Sequence, residues 1–145
     1  MAKKFVIRTD HAPAPLEGAP YSQAIRVDNL VFVSGQIALK PGETALTGTT
    51  VAEQTEQIFL NLKAILTAAS SRLDYLVKTT VFLARMEDFA EMNEVYARHA
   101  GKQPPARSTG RSGEEGRKLC EPSVTEVTEV TGVSVLSEHA SRAGC

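Results

Sequence analysis

Cysteine and histidine are too few and too scattered to build a site. The chain has 2 cysteines, Cys120 and Cys145, and 3 histidines, His11, His99 and His139. Nothing in their spacing suits a metal, and no cysteine–histidine arrangement stands ready to activate a nucleophile. A zinc centre and a histidine-based triad are therefore not expected, and no metal is assigned. Charge of one sign is missing as well: 16 Lys and Arg against 17 Asp and Glu leave a net charge of −1. That balance provides no electrostatic footprint for nucleic acid or for an anionic membrane surface. Long apolar runs are absent too. Phe5-Val6-Ile7 lies between Lys4 and Arg8, which is too short for a signal-peptide core, and no segment approaches the roughly 20 apolar residues of a membrane span. These absences point to a protein of the cytosol with no membrane partner.

What is present is ordinary for a soluble domain. A hydrophobic content of 42% with 23% charged residues, over 145 residues, is enough for one domain with a real core. Phe5-Val6-Ile7 reads as a short first strand, and residues 11–20, with three prolines, as an irregular loop. Ala24-Ile25-Arg26-Val27 and Leu30-Val31-Phe32-Val33 flank Asp28-Asn29, a turn pair that tolerates positive φ, and so predict a hairpin. Ser34-Gly35-Gln36-Ile37 follows, with a glycine that permits close backbone approach. Thr50-Val51-Ala52-Glu53 fits a capping box, and Val51, Ile58, Leu62, Ile65, Leu66 and Ala69 form one apolar stripe behind it. Residues 76–83 are rich in β-branched side chains and predict a strand. A second helix is expected over residues 86–99, with acidic Glu87 and Asp88 in its first turn and Phe89, Met92, Asn93 and Tyr96 on its inward face. A polar Asn93 on that stripe needs partners, from packing or from a site. A further strand should enter after this helix. The order predicts an α+β architecture: one mixed sheet with two helices on one face, the other face left to solvent or to a partner subunit.

The stretch most suggestive of chemistry is Lys102-Gln103-Pro104-Pro105-Ala106-Arg107-Ser108-Thr109. Two prolines stiffen the approach to Arg107. Its guanidinium is always charged and offers a planar fork that fits a carboxylate or phosphate. Taken alone, a surface arginine after a proline turn is the commoner reading.

Five segments together say more. Gly18-Ala19-Pro20-Tyr21-Ser22-Gln23-Ala24, Phe32-Val33-Ser34-Gly35-Gln36-Ile37, Val77-Lys78-Thr79-Thr80-Val81-Phe82-Leu83, Asp88-Phe89-Ala90-Glu91-Met92-Asn93 and Pro105-Ala106-Arg107-Ser108 occur in this order. In this the chain resembles the RidA (YjgF/UK114) family of reactive-intermediate, or imine, deaminases. The resemblance implies a chorismate-mutase-like α+β fold and a homotrimer with active sites between subunits. It also implies hydrolysis of 2-imino or enamine acids to 2-keto acids and ammonia, without metal or cofactor. Arg107 would clamp the substrate carboxylate and so hold the imine carbon against a water, which is catalysis mostly by positioning. Tyr21 and Asn93 would line the cleft as further catalytic residues. Ser34 and Gly35 would supply polar contacts to substrate, with Thr109 beside them where many members have cysteine.

After Thr109 the resemblance stops. The family continues with two strands and a glutamate that helps to bind or activate water, and no glutamate of this tail matches that motif. Residues 110–145 have no aromatic residue, and Val124, Val127, Val130 and Val133 recur every three residues, a period of neither strand nor helix. The expectation is a family-like domain over 1–109 and a divergent tail over 110–145, disordered or the product of a frameshift. Codons exist for residues 110–115 that, read one base later, spell Val-Glu-Val-Ala and two basic residues. A substitute strand over residues 130–136 is the alternative. Loss of two strands would bare the neighbouring strand edge and weaken the trimer. Two other functions stand beside the deaminase: a catalytically weak small-molecule-binding or chaperone-like trimer, favoured by the missing glutamate, and RNA cleavage, which the near-neutral charge disfavours.

Overall fold

The longest helix begins where its capping residues place it. The Thr50 hydroxyl accepts the Glu53 N–H at 3.2 Å, and Glu53 Oε2 accepts the N–H groups of Thr50 at 3.2 Å and Thr49 at 2.8 Å. This reciprocal box starts α1 (Val51–Ala68). Along α1, Ile58, Leu62, Ile65 and Leu66 are 0% exposed and Phe59 is 1% exposed. At about 1.5–3 kcal/mol for each such side chain, this stripe outweighs the ~1 kcal/mol of a helix cap. The cap sets where the helix starts, and burial holds it in place.

The computed structural model describes residues 3–112 and the backbone of residues 130–138. Besides α1 these form β1 (Lys4–Ile7), β2 (Ala24–Val27), β3 (Leu30–Gln36), β4 (Leu76–Leu83), α2 (Phe89–His99), β5 (Ala106–Arg111) and β6 (Val130–Glu138). The strands form one mixed sheet in the order β1-β2-β3-β6-β4-β5. Every pairing is antiparallel except the last, β4 with β5. The predicted hairpin joins β2 to β3, with Asp28 at φ 51°. A short 3₁₀ turn over Met86–Asp88 leads into α2, so the α-helix proper starts three residues later than expected. Arg85 grips Asp88 at 2.9 and 3.2 Å in that turn, and the Asp88 carboxylate raises the basicity of Arg85. Glu91 Oε1 accepts the Ala52 N–H at 3.1 Å, so an orphan amide at the start of α1 is satisfied from α2.

Both helices lie on one face, as expected. The core there joins the α1 stripe to Val31 and Val33 of β3, Val81 and Leu83 of β4, and Met92 and Tyr96 of α2. Asn61 ties the chain after β3 to α1 by donating to the Ile37 and Leu39 carbonyls at 3.2 and 2.8 Å. The opposite face carries exposed apolar side chains. Val6, Ile25 and Phe32 are register partners across β1, β2 and β3, and Val6, Phe32 and Phe82 are 49%, 48% and 42% exposed.

The tail departs from the expectation of a bared strand edge. Residues 130–138 lie between β3 and β4 and pair with both. β5 continues past Thr109 to Arg111, across the boundary expected there. Residues 113–129 and 139–145, and any expectation of disorder in them, lie outside the described residues.

Two outcomes follow from these contacts. The Thr49 and Thr50 amides hold the Glu53 carboxyl below its ordinary value. A depressed folded-state value means stabilisation that is present above the unfolded-state pKa and lost as pH falls through the folded one. Melting curves of Glu53→Gln should fall below those of the parent at neutral pH and converge with them in acid; a gap independent of pH would exclude the charge as the cause. A chain truncated after Ser112 loses the strand between β3 and β4 and should show no cooperative transition by calorimetry. An unchanged transition would mean that β6 contributes nothing to stability.

Candidate functional site

Arg107 is the second residue of β5, an edge strand paired in parallel with β4 so that Arg107 stands beside Thr79. Thr79 is 0% exposed and faces the helices, and parallel register neighbours project to the same face. Arg107 therefore reaches under α2 rather than into open solvent. Its Cζ lies 4.5 Å from the centroid of the Tyr96 ring and 5.4 Å from that of Phe89. Among the described residues, no carboxylate and no hydrogen-bond acceptor engages its N–H groups, whereas Arg72, Arg85 and Arg98 each have an acidic partner. A half-buried guanidinium held by ring faces keeps its donors free for an anion.

Two further sequence-predicted residues lie on the same elements. Thr109 is two positions along β5 and beside buried Val81. Its Oγ1 is shielded from solvent and has no hydrogen-bond partner among the described residues. Asn93 is on α2, four residues after Phe89 and three before Tyr96, and so flanks the rings that carry Arg107. It is half-buried rather than in the core, which removes the desolvation cost expected of it.

The other three form a separate group. The Ser34 N–H donates to the Gln23 carbonyl at 3.0 Å, and the Ser34 hydroxyl donates to the Ser22 carbonyl at 2.5 Å. These bonds hold Ser34 and Gly35 next to the Tyr21-Ser22-Gln23 segment, where Tyr21 is 50% exposed. Gln23 fixes that segment from behind: its Oε1 accepts the Thr9 N–H at 2.8 Å, and its Nε2 contacts the carbonyls of Thr9, Ala12 and Pro13. Between β3 and β5 lie β6 and β4, three strand spacings or about 14 Å. One chain thus brings Arg107, Thr109 and Asn93 together, and Tyr21, Ser34 and Gly35 together, but not the two groups.

Sequence reasoning read Phe89 and Tyr96 as packing residues only. The signal was there in their spacing, since 89, 93 and 96 share one stripe with Asn93, but their contact with Arg107 depends on the β4–β5 register. Among the described residues, no three His, Cys, Asp or Glu side chains gather as a metal site would require, and no helix is long and apolar enough to cross a membrane.

The model of the family described as Endoribonuclease L-PSP matches residues 9–113. The chain belongs to this family. Its fold is that of the Rid and YjgF proteins. The crystal structure of yeast Mmf1 superposes with a TM-score of 0.79 at 36% identity, over 94% of this chain and 99% of that one. Escherichia coli TdcF, solved with bound serine, superposes with a TM-score of 0.76 at 27% identity, over 94% and 99%. Reactive Intermediate Deaminase A of Arabidopsis thaliana is 45% identical over 107 residues, 74% of this chain and 56% of that protein. That relative is chloroplastic and Mmf1 mitochondrial, so family membership does not place this Rid protein in the cytosol.

Thr109 gives the site a stability test. An isosteric methyl in place of a buried hydroxyl without a partner removes a desolvation cost of about 1–3 kcal/mol. Thr109→Val should leave the urea midpoint unchanged or raise it. A clear fall would place a hydrogen bond on that hydroxyl.

Proposed function

We propose that this Rid protein hydrolyses small reactive 2-imino or enamine acids to 2-keto acids and ammonia. The observation that carries the reading is the Arg107 guanidinium, lying over two ring faces and free of carboxylates among the described residues. Such a cation takes a carboxylate through two parallel hydrogen bonds. With the carboxylate held, the adjacent imine carbon stands at a defined place. Water adds to that carbon, and the C–N bond of the resulting carbinolamine breaks to release ammonia and leave the carbonyl. TdcF with bound serine supports a small ligand bearing a carboxylate next to a nitrogen-bearing carbon, and the relative named as a reactive-intermediate deaminase supports the reaction class.

Asn93 and Thr109 stand on the Arg107 side of the site in this proposal. Tyr21, Ser34 and Gly35 are about three strand spacings away, and a second copy of the chain would bring them to it. A homotrimer with sites between subunits suits both that separation and the exposed apolar row of Val6 and Phe32, which needs covering. A second reading, a binding module without turnover, is favoured by one feature: no glutamate after Thr109 matches the family's water-binding position. RNA cleavage finds little support in a net charge of −1.

Feeding the purified chain 2-iminobutanoate from a coupled generating enzyme and following loss of imine tests the proposal. Arg107→Ala should lower kcat/KM by at least about thirtyfold, the usual cost of removing one partner of a hydrogen-bonded charge pair, and Arg107→Lys should restore only part, since an ammonium is no fork. Full activity in Arg107→Ala would sink the carboxylate clamp. No turnover by the parent, with binding of 2-oxobutanoate that depends on Arg107, would select the binding module.

A further inference from the structure

Arg107 is held by aromatic faces, and this arrangement has a consequence for its donors. A guanidinium over a ring face is attracted through its charge, and that contact engages none of its N–H donors. The rings therefore hold the cation while leaving its donors to a carboxylate. They also remove much of the rotamer freedom that a long side chain would lose on binding.

The shelf is itself braced. Tyr96 is 5% exposed, and Phe59 of α1 meets its ring edge-on with centroids 5.5 Å apart and planes at 76°. Its Oη lies 2.7 Å from Thr79 Oγ1 in the core. Thr79 is the register partner of Arg107, so one residue sits beside the Arg107 backbone and also holds the ring on which the Arg107 head rests. Phe89, half-buried at the start of α2, supports the guanidinium more distantly.

We propose that Phe89 and Tyr96 are positioning residues: an aromatic shelf, backed by Phe59 in the core, that orients the Arg107 guanidinium for two-point capture of a small 2-oxo or 2-imino carboxylate. This rests on the carboxylate reading of Arg107 given above. Affinity should then depend on the ring faces even though neither ring carries a charge, and a phenyl ring at position 96 should serve nearly as well as tyrosine.

The test uses 2-oxobutanoate as probe, titrated by calorimetry into the full chain and its variants, with the Arg107 Nε–H resonance followed by NMR and assigned by its loss in Arg107→Ala. In the parent that proton should be shifted upfield by the ring currents of the shelf. Tyr96→Leu should weaken binding about tenfold, within the five- to thirtyfold range of a partly desolvated cation–π contact, and return the resonance toward its free position. Phe89→Leu should weaken binding about threefold and Tyr96→Phe less than about twofold, following their ring contacts. Should Tyr96→Leu fail to fold, Phe89→Leu and the parent's resonance decide the matter. If Arg107→Ala loses binding while folded Tyr96→Leu and Phe89→Leu bind like the parent, or if the parent's resonance is unshifted, the shelf is overturned and the clamp stands. If Arg107→Ala binds like the parent, or the parent does not bind the probe, both fall together.

Discussion

The apolar stripe of α1, buried on one face of the sheet, is the interaction on which the rest depends. Five side chains from Ile58 to Leu66 are essentially inaccessible, and at ~1.5–3 kcal/mol each their burial rivals the whole net stability of a domain, about 5–15 kcal/mol. That packing backs α2 through Phe59 and Tyr96. α2 in turn supplies the rings on which Arg107 rests. The Arg107 cation thus stands at the end of a chain of contacts that begins in the hydrophobic core, while its own strand is at the edge of the sheet.

The same sheet divides its labour by face. One side is sealed by helices; the other leaves Val6, Phe32 and Phe82 exposed. The position of Arg107 at one edge, and of Ser34 and Tyr21 several strands away, is a matter of strand order rather than of side-chain chemistry. Under the proposed deaminase reading, assembly of copies would serve both needs at once: it would cover the apolar face and bring the separated groups together. The centre of the sheet is held by β6, which comes from the part of the chain that least resembles the family. A backbone ladder accepts many sequences, because its hydrogen bonds are made by main-chain groups, so a strand can form in a segment whose side-chain pattern does not announce it.

Much of the fold was legible in the residues because its signals are local. The Thr50–Glu53 box, the Asp28-Asn29 turn and the three-and-four spacing of α1 each concern residues within a few positions of one another, and each element lies where those signals put it. Arg107 was legible for another reason: two prolines before a fork-shaped cation make a short motif with a mechanical meaning. Asn93 was only partly legible, since helical spacing places it on the stripe but cannot say that it stops half-way out of the core. β6 stood only as one alternative, because a period of three residues matches neither secondary structure.

By itself, then, the sequence determined the types of the elements before residue 110, the start of α1, the stripe that becomes the core and the presence of a stiffly delivered arginine. Only the tertiary structure decided what that arginine touches. The parallel register of β4 with β5 sets Arg107 beside Thr79, and the docking of α2 brings Tyr96 and Phe89 against the guanidinium. The physical reason is distance along the chain: local propensities act over one or two turns, whereas Arg107 and Thr79 are neighbours only because two strands and the helix between them close on one core.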